Sequence, residues 1–327
     1  MSRGKDNHTT LLSFDELESS FTSFANMGSV SPFVLTFWLK SWFFFFGNGL
    51  SPLVTLVREG DEPLGIAPLV ISDGIVRFMG NESLCDFQDM ILAGDGEIFF
   101  THLLNFLQKS NCKSLELGAL LPNSKTLKYL PDVCRKLGIS CVQQPAGTIY
   151  EMDLPASWDA YLIGLSGKQR HEIRRKMRRL REEGDVSFQI VKEIPAVEAC
   201  MSEFYAMFTD SRADKAMFLD EDKKGYFSSL AEGLANNNLL RFGRLLLNEK
   251  PVASVFCFEH EGTIYLYNNG YYNEYSSLSI GSLSKVFSIK YGICKGLKRY
   301  SFLKGDEKYK RQLGGIPLCL TRLIVQF

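Results

Sequence analysis

The order in which helical and extended segments follow one another constrains the fold of this chain more than any single motif. In the first half, two helical segments precede three extended segments, and a helix, a strand, a helix and a strand follow. Turn pairs such as Gly60-Asp61 and Asp73-Gly74 separate the three extended segments. The second half repeats this general order. The pattern predicts a mixed α/β fold with two similar domains, divided into residues 1-150 and 151-327.

The chain is long enough for two domains and has enough apolar residues for two cores. It contains 327 residues, of which 45% are hydrophobic. Lys plus Arg and Asp plus Glu number 37 each, so net charge does not direct the protein to DNA or to an anionic surface. The 8 cysteines form no Cys-x-x-Cys pair and the 4 histidines are scattered. We therefore predict reduced thiols and no metal site.

Two segments bear on where the protein works. Met1–Thr10 is polar and lacks the apolar stretch of a secretion signal. Pro32–Phe46 is the most hydrophobic stretch, but it contains Lys40 and is too short to cross a bilayer. We therefore predict a cytoplasmic protein without a transmembrane segment, in which Pro32–Phe46 forms a core helix.

The most informative stretch runs from Leu278 to Gly315. A Ser-rich turn, Ser276–Ser282, leads into a helix with an apolar face that Gly296 closes. The start of a helix offers unpaired N–H groups and the positive end of a dipole, and both suit a phosphate. The predicted donor-binding residues at this turn are Ser277, Ser279, Gly281 and Ser282. An ordinary Ser-rich helix cap is the alternative interpretation.

A charged run follows a short predicted strand near the end of the chain. Gly305–Lys310 holds two carboxylates, two cations and a phenol. Either Asp306 or Glu307 is predicted to accept a proton from the attacking group, and Tyr309 to protonate the leaving group. Lys310 is predicted to neutralise a phosphate of the donor. The alternative is a solvated charged loop with no part in chemistry.

The helix predicted over Ser166–Glu183 carries eight cations and three acids. Its residues Ile173, Met177 and Leu180 follow the spacing of one helix face, so that face is expected to pack on the domain. The charged face would suit coenzyme phosphates, tRNA or an anionic glycan, and Arg174 is predicted as a counter-cation of the donor. A solvated helix face is the alternative.

Two polar stretches are predicted to bind the acceptor. Asp210–Lys215 is a polar break between helices and is expected to form a binding loop. Asn268–Tyr271 lies just before the Ser-rich turn. The predicted substrate-binding residues in these stretches are Asp210, Arg212, Asn269 and Tyr271.

Residues spread over most of the chain match the pattern of one known family. They are Phe33, Trp38, Trp42, Pro63–Leu69, Asp86 and Asp89 in the first half, and Leu165-Ser166, Arg170, Ile173–Arg175, Asp210–Arg212, Gly270-Tyr271, Leu278–Gly281, Gly296 and Phe302–Lys310 in the second. On these residues the chain resembles the BioF2-like, CelD/BcsL-type branch of the GNAT N-acyltransferase superfamily. The run Phe302–Lys310 is the most specific part of the resemblance.

The resemblance implies two tandem GNAT-like domains, with the chemistry in the second. It implies an acyltransferase that uses acyl-CoA as a co-substrate and holds no permanent cofactor. The acceptor would be an amine or hydroxyl of a sugar, or of a cell-envelope or exopolysaccharide precursor. The family is also similar to the Fem-type peptidoglycan aminoacyltransferases, whose Phe-Lys-x-x-Phe-Gly pattern is approximated by Tyr309–Gly314.

One departure from the family pattern leaves the donor open. Typical GNAT proteins hold the CoA pyrophosphate with Gln/Arg-x-x-Gly-x-Gly/Ala, whereas this chain has Ser276-x-x-Ser279-x-Gly281. A donor other than acetyl-CoA is therefore admissible. The alternatives are a Fem-like transfer from aminoacyl-tRNA and a non-catalytic GNAT-like module of a polysaccharide-synthesis system.

Overall fold

The structure, a computed structural model, describes residues 9–24 and 30–327. The first eight residues of the polar segment Met1–Thr10 lie outside the described residues. The chain divides into two compact units, of which the first comprises residues 1–147 with Leu318–Phe327 and the second comprises Thr148–Pro317. The sequence-based division had placed the last strand in the second domain. It belongs to the first unit because Leu323 and Ile324 pair with a strand of that unit, at Leu117 and Glu116.

The first unit contains a sheet with helices between its strands. Its elements are β1 (Thr9–Leu11), α1 (Phe14–Phe24), a 3-10 turn (Pro32–Val34), α2 (Thr36–Phe46), β2 (Ser51–Glu59), β3 (Glu62–Ser72), β4 (Ile75–Phe78), β5 (Ile91–Leu92), α3 (Gly96–Lys109), β6 (Ser114–Leu120), α4 (Lys125–Leu137) and the first part of β7 (Ser140–Asp153). With the last strand, β13 (Ile316–Gln326), the sheet order is β1-β2-β3-β4-β6-β13-β7, and β5 pairs with β3. Strands β4 and β6 run parallel.

Helix α3 shows how sequence builds this unit. Phe99, Phe100, Leu103, Leu104 and Leu107 are all fully buried, and their spacing places them on one helix face. That face packs in the core with residues of β3, β4 and β6. The helix begins where the preceding carboxylate accepts hydrogen bonds from two free N–H groups of its first turn.

The second unit contains most of the residues that the sequence predicts for function. Its elements are the end of β7, α5 (Trp158–Gly164), α6 (Gly167–Glu182), β8 (Val186–Val191), α7 (Ile194–Ser211), α8 (Ala213–Phe218), α9 (Glu221–Asn236), β9 (Phe242–Leu247), β10 (Lys250–His260), β11 (Thr263–Tyr271), a 3-10 turn (Asn273–Leu278), α10 (Ile280–Cys294), β12 (Arg299–Lys304) and α11 (Lys308–Gln312). The sheet order is β7-β12-β11-β10-β9-β8. Strands β11 and β12 run parallel, whereas β12 with β7, β11 with β10, β10 with β9 and β9 with β8 pair antiparallel.

Helix α10 lies against the sheet of this unit and ends as the sequence predicts. Leu283, Val286 and Ile289 are buried in the core with residues of β10, β11 and β12. Gly296 adopts a φ of +68° just after the helix, a conformation in which glycine is unstrained. Among the helices of the described residues, none is both long and apolar enough to cross a membrane.

Candidate active site

The parallel pairing of β11 and β12 stops before either strand ends. The parallel pairs join Thr263–Tyr265 of β11 to Arg299–Ser301 of β12. Beyond these pairs β11 continues to Tyr271 and β12 to Lys304. We call this region, Leu266–Tyr271 with Phe302–Lys304, the strand mouth. Strand ends next to helix starts are where α/β sheets bind ligands.

Lys310 of α11 holds the end of β12. Its side chain is only 2% exposed, and its ammonium donates to the backbone oxygens of Leu303 at 3.1 Å and Lys304 at 2.6 Å. The carboxylate of Glu307 lies 3.1 Å from the same ammonium. Lys310 was predicted to neutralise a donor phosphate, and the structure instead places its charge among oxygens of the protein itself.

Lys285 of α10 is a buried cation that the sequence analysis did not single out. Its ammonium donates to the backbone oxygen of Gly281 at 2.6 Å and lies 4.7 Å from the centre of the Tyr309 ring. Burial lowers the pKa of Lys285 to about 7, and the charge of Lys215 adds to that effect, while Glu307 opposes it. Lys285 therefore changes its charge near neutral pH.

Lys215 of α8 brings a second cation to the other strand of the mouth. Its ammonium donates to the backbone oxygen of Asn269 in β11 and lies 4.6 Å from the centre of the Phe208 ring. Burial, followed by the charge of Arg212, lowers the pKa of Lys215 to about 8. Two lysines from different helices thus share one poorly solvated region.

The two predicted acids point to different surroundings. Asp306 is exposed and accepts hydrogen bonds from the hydroxyl of Tyr150 and from Arg311, and the Tyr150 bond is the main cause of its lowered pKa. Glu307 is half-exposed beside Lys310, and its charge acts on both Lys285 and Lys215. Of the two, Glu307 is the carboxylate that belongs to the lysine cluster.

Tyr309 stands within the same cluster. Its ring packs edge-on against Phe302 of β12, with the ammonium of Lys285 over its face. Burial raises the pKa of the Tyr309 phenol, and the charge of Glu307 raises it further. The phenol therefore keeps its proton at neutral pH, as its predicted role as a proton donor requires.

The predicted donor-binding turn forms the uncapped start of α10. Ser279 adopts a left-handed φ of +59°, and its side chain makes no capping hydrogen bond. Ser277 is exposed and Ser282 half-buried. At Gly281 the place of a Cβ atom is filled by the ring of Tyr271, which would lie 2.6 Å away. The structure thus brings the predicted residues Gly281 and Tyr271 into contact, and leaves the helix start without a side-chain cap.

The remaining predicted binding residues are held by protein contacts. Asp210 accepts a hydrogen bond at 2.6 Å from the backbone N–H of Asn273, which ties α7 to the turn before α10. Arg212 makes two bonds to Asp214, at 2.9 and 2.7 Å. The backbone oxygen of Asn269 is the acceptor of the Lys215 bond. These contacts bring the predicted binding loop beside the end of β11.

Arg174 lies on the exposed face of α6. A surface groove of about 280 Å³ runs along this face and is lined by Gly167, Arg170, His171, Arg174, Arg175 and Arg178. Glu172 pairs with Arg175, and that hydrogen bond is the main reason why the pKa of Glu172 falls to about 2. The opposite face of α6 is buried, as its spacing predicts.

Comparison with known proteins assigns this unit to a superfamily. Residues 167–311 match the family model described as "Acetyltransferase (GNAT) domain". Over these residues the second unit is similar to GNAT acetyltransferase domains. The predicted resemblance is thereby confirmed at the level of the superfamily, and the enzyme class is acyltransferase. A search of curated protein sequences finds no significant match.

Solved structures extend the GNAT fold to the whole chain. FemX is similar with a TM-score of 0.62 and 11% identity over 96% of both chains. The C-terminal domain of a predicted lysylphosphatidylglycerol synthetase from Agrobacterium fabrum gives 0.58 and 12%, over 96% of this chain and 92% of that one. A tandem GNAT protein from the clavulanic acid biosynthesis pathway gives 0.52 and 13%, over 97% and 98%. Two tandem GNAT-like domains are therefore confirmed.

No metal-binding group is found in residues 9–24 and 30–327, where no three His, Cys, Asp or Glu side chains are placed to hold an ion. Sequence reasoning missed Lys285 at the strand mouth, although one signal was present. It is a cation close to Leu283, Val286 and Ile289, whose spacing marks the face of α10 that packs in the core.

Proposed function

We propose that the second unit transfers an acyl group from a CoA thioester to an amine or hydroxyl at the strand mouth. The observation that supports this most is the cluster of Glu307, Tyr309, Lys285 and Lys215 where the β11–β12 pairing stops. A half-exposed carboxylate beside a buried, protonated phenol and two buried cations supplies the groups that acyl transfer needs. The acceptor we propose is a sugar, or a cell-envelope or exopolysaccharide precursor, in the cytoplasm.

In the proposed reaction Glu307 is the base. The lone pair of the acceptor attacks the thioester carbonyl carbon, and the acceptor proton passes to the Glu307 carboxylate. The C–S bond then breaks, and the leaving thiolate takes the proton of Tyr309, which is restored from Glu307 through solvent. Glu307 suits this role better than Asp306 because of its surroundings. Asp306 is bound by Tyr150 and Arg311, whereas Glu307, although it pairs with Lys310, also acts on Lys285 and Lys215.

The donor phosphates are proposed to bind at the start of α10, through Ser277, Ser279, Gly281 and Ser282. The uncapped Ser279 supports this placement, since an unfilled helix start attracts anions. Arg174 remains the proposed counter-cation, from the exposed face of α6. Asp210, Arg212, Asn269 and Tyr271 are proposed to border the acceptor.

A Fem-like transfer from aminoacyl-tRNA is the second candidate. The groove along Arg170, Arg174 and Arg178 supports it, because arginines one helical turn apart can follow a phosphate backbone. The similarity in fold to FemX is consistent with either donor.

A matched pair of variants tests the proposed base. Glu307→Gln is expected to lower kcat about 100-fold, because general base catalysis contributes roughly that much. Asp306→Asn removes an equal charge from an exposed ion pair with Arg311, and its turnover is expected to stay within about threefold of that of the natural protein because exposed ion pairs contribute little. Turnover is measured as acylated amino sugar by mass spectrometry, with acetyl-CoA, longer acyl-CoA and aminoacyl-tRNA as parallel donors. Equal losses in both variants would remove Glu307 from its role, and product from the tRNA arm alone would establish the second candidate.

A further inference from the structure

We infer that the substrate of the strand mouth carries an anionic group, a carboxylate or a phosphate, which binds between Lys215 and Lys285. The inference rests on the proposed function, because it concerns the substrate of the same site. Some cations of the cluster are paired with carboxylates, and two of them are not.

The other charges of the cluster are paired with one another. Lys310 pairs directly with Glu307 at 3.1 Å, and Arg212 pairs with Asp214 at 2.7 Å. Lys215 and Lys285 each donate to one backbone carbonyl and face one aromatic ring. Within the described part of the chain, neither takes part in an ion pair. Two cations are therefore left without a carboxylate of their own.

Such an arrangement is costly for a protein without a ligand. An ammonium removed from water loses hydration that a single carbonyl does not replace, and two like charges raise the cost further. Both lysines show this in their lowered pKa values, about 7 for Lys285 and about 8 for Lys215. Buried lysines whose pKa values are strongly lowered are typical of functional sites.

An anion placed between the two ammonium groups would reverse that cost. It would favour the charged form of both lysines and raise their pKa values. The other titratable groups facing Lys285 are Glu307, Lys310 and Tyr309, together with the Cys257 thiol, whose pKa burial raises. Tyr309 and Cys257 stay neutral near pH 8, and Glu307 and Lys310 offset each other. Binding of an anion at pH 8 should therefore draw protons onto Lys215 and Lys285.

Calorimetric titration of the full chain with inorganic phosphate, and separately with acetate, tests the inference. At pH 8, in two buffers of different ionisation enthalpy, we expect binding with net proton uptake. Lys285→Met should weaken the affinity about tenfold or more, and so should Lys215→Met, which serves as the second variant if Lys285→Met fails to fold. Lys290→Met is the matched control on the same helix, since Lys290 lies over the Trp158 ring and should leave binding unchanged.

Each outcome decides the matter. Binding of phosphate but not acetate, lost in both lysine variants, supports a phosphate group on the substrate, and the reverse supports a carboxylate. Absence of binding for both probes, or binding that Lys285→Met and Lys215→Met leave intact, overturns the inference. If the anion binds through the two lysines but the protein transfers no acyl group, the proposed function is wrong and the anion site is retained. If the protein transfers an acyl group but binds no anion, the anion site is wrong and the proposed function is retained.

Discussion

The two units share one arrangement of strands and differ in the side chains at the end of their parallel strand pair. In the first unit β2, β3 and β4 pair in sequence, and β4 then pairs in parallel with β6 over Ile75–Arg77 and Ser114–Glu116. In the second unit β9, β10 and β11 do the same, and β11 pairs in parallel with β12 over three residues as well. The strand arrangement alone therefore does not create an active site. The difference must lie in the side chains at the end of the parallel strand pair.

The first unit fills that place with its own chain. Gln88 is buried; its side chain donates to the backbone oxygen of Met79 at 2.7 Å, and its backbone N–H donates to Ala119. Gly80 is required beside it, because a Cβ atom there would lie 2.8 Å from the Gln88 amide. A neutral amide, bonded to the chain through its nitrogen, lies at the end of the parallel pair in the first unit, whereas the second unit has Lys285 and Lys215 there.

The starts of the two corresponding helices differ in the same sense. In the first unit the carboxylate of Asp95 accepts hydrogen bonds from Glu97 and Ile98 at the start of α3. In the second unit Ser279 leaves the start of α10 without a side-chain cap. A carboxylate at the start of a helix stabilises the helix, and its negative charge also repels a phosphate. We therefore expect the first unit to support the fold and the second to bind the donor.

The largest expected effect comes from giving the second unit the cap of the first. Ser279→Asp should lower kcat/KM for the acyl donor about 100-fold, because a carboxylate at the helix start would repel the donor phosphates. The left-handed φ of Ser279 is one that Asp tolerates. Initial rates over a range of acyl-CoA concentrations give the value. Circular dichroism should show an unchanged helix content, and unchanged kcat/KM would mean that the phosphates bind elsewhere.

Periodic segments were predictable from sequence because their pattern is local. The helix predicted over Ser166–Glu183 is α6, which runs from Gly167 to Glu182, and most of the predicted core helix Pro32–Phe46 is α2. Two short strands, β1 and β5, were missed, because two or three residues carry no period and owe their conformation to pairing with β2 and β3. The last strand was placed in the second domain for a similar reason, since the choice of a pairing partner is set by tertiary contacts.

The candidate site was predictable in its position and not in its detail. The run Gly305–Lys310 does follow a strand beside the start of α10, but α11 turns Lys310 inward onto the carbonyls of Leu303 and Lys304. Sequence could not separate Asp306 from Glu307, because their difference arises from Tyr150, which lies far away in the chain. Lys285 was hidden in an apolar pattern, and only its burial shows that its charge matters.

The next effect tests the unpaired cation of the second unit through stability. The ordinary pKa of a lysine, about 10.5, applies to the unfolded chain, and burial lowers it to about 7 in the folded one. Between these values the unfolded chain binds more protons, so the free energy of unfolding rises as pH rises. From pH 7 to pH 9 the Lys285 contribution is about 2 kcal/mol.

Lys285→Met should remove that part of the rise and should stabilise the protein most at pH 7 and below. Urea unfolding at pH 7 and pH 9 measures it, in buffers that contain neither phosphate nor carboxylate. Lys215, with its pKa of about 8, will leave a smaller rise in the variant. If the stability of the variant rises with pH as steeply as that of the natural protein, Lys285 is solvated. The two units would then not differ in holding a buried charge at this position.

The smallest effect tests the closed helix start of the first unit. Asp95→Ala removes the acceptor for the N–H groups of Glu97 and Ile98, which should lower the free energy of unfolding by about 1 kcal/mol. Asp95→Asn keeps an acceptor oxygen and should recover most of the loss. Turnover should be the same in both variants, because the start of α3 is occupied by its own carboxylate in the natural protein and is not expected to bind the acyl donor. A fall in kcat with Asp95→Ala, at a temperature where the variant remains folded, would instead give the first unit a part in the reaction.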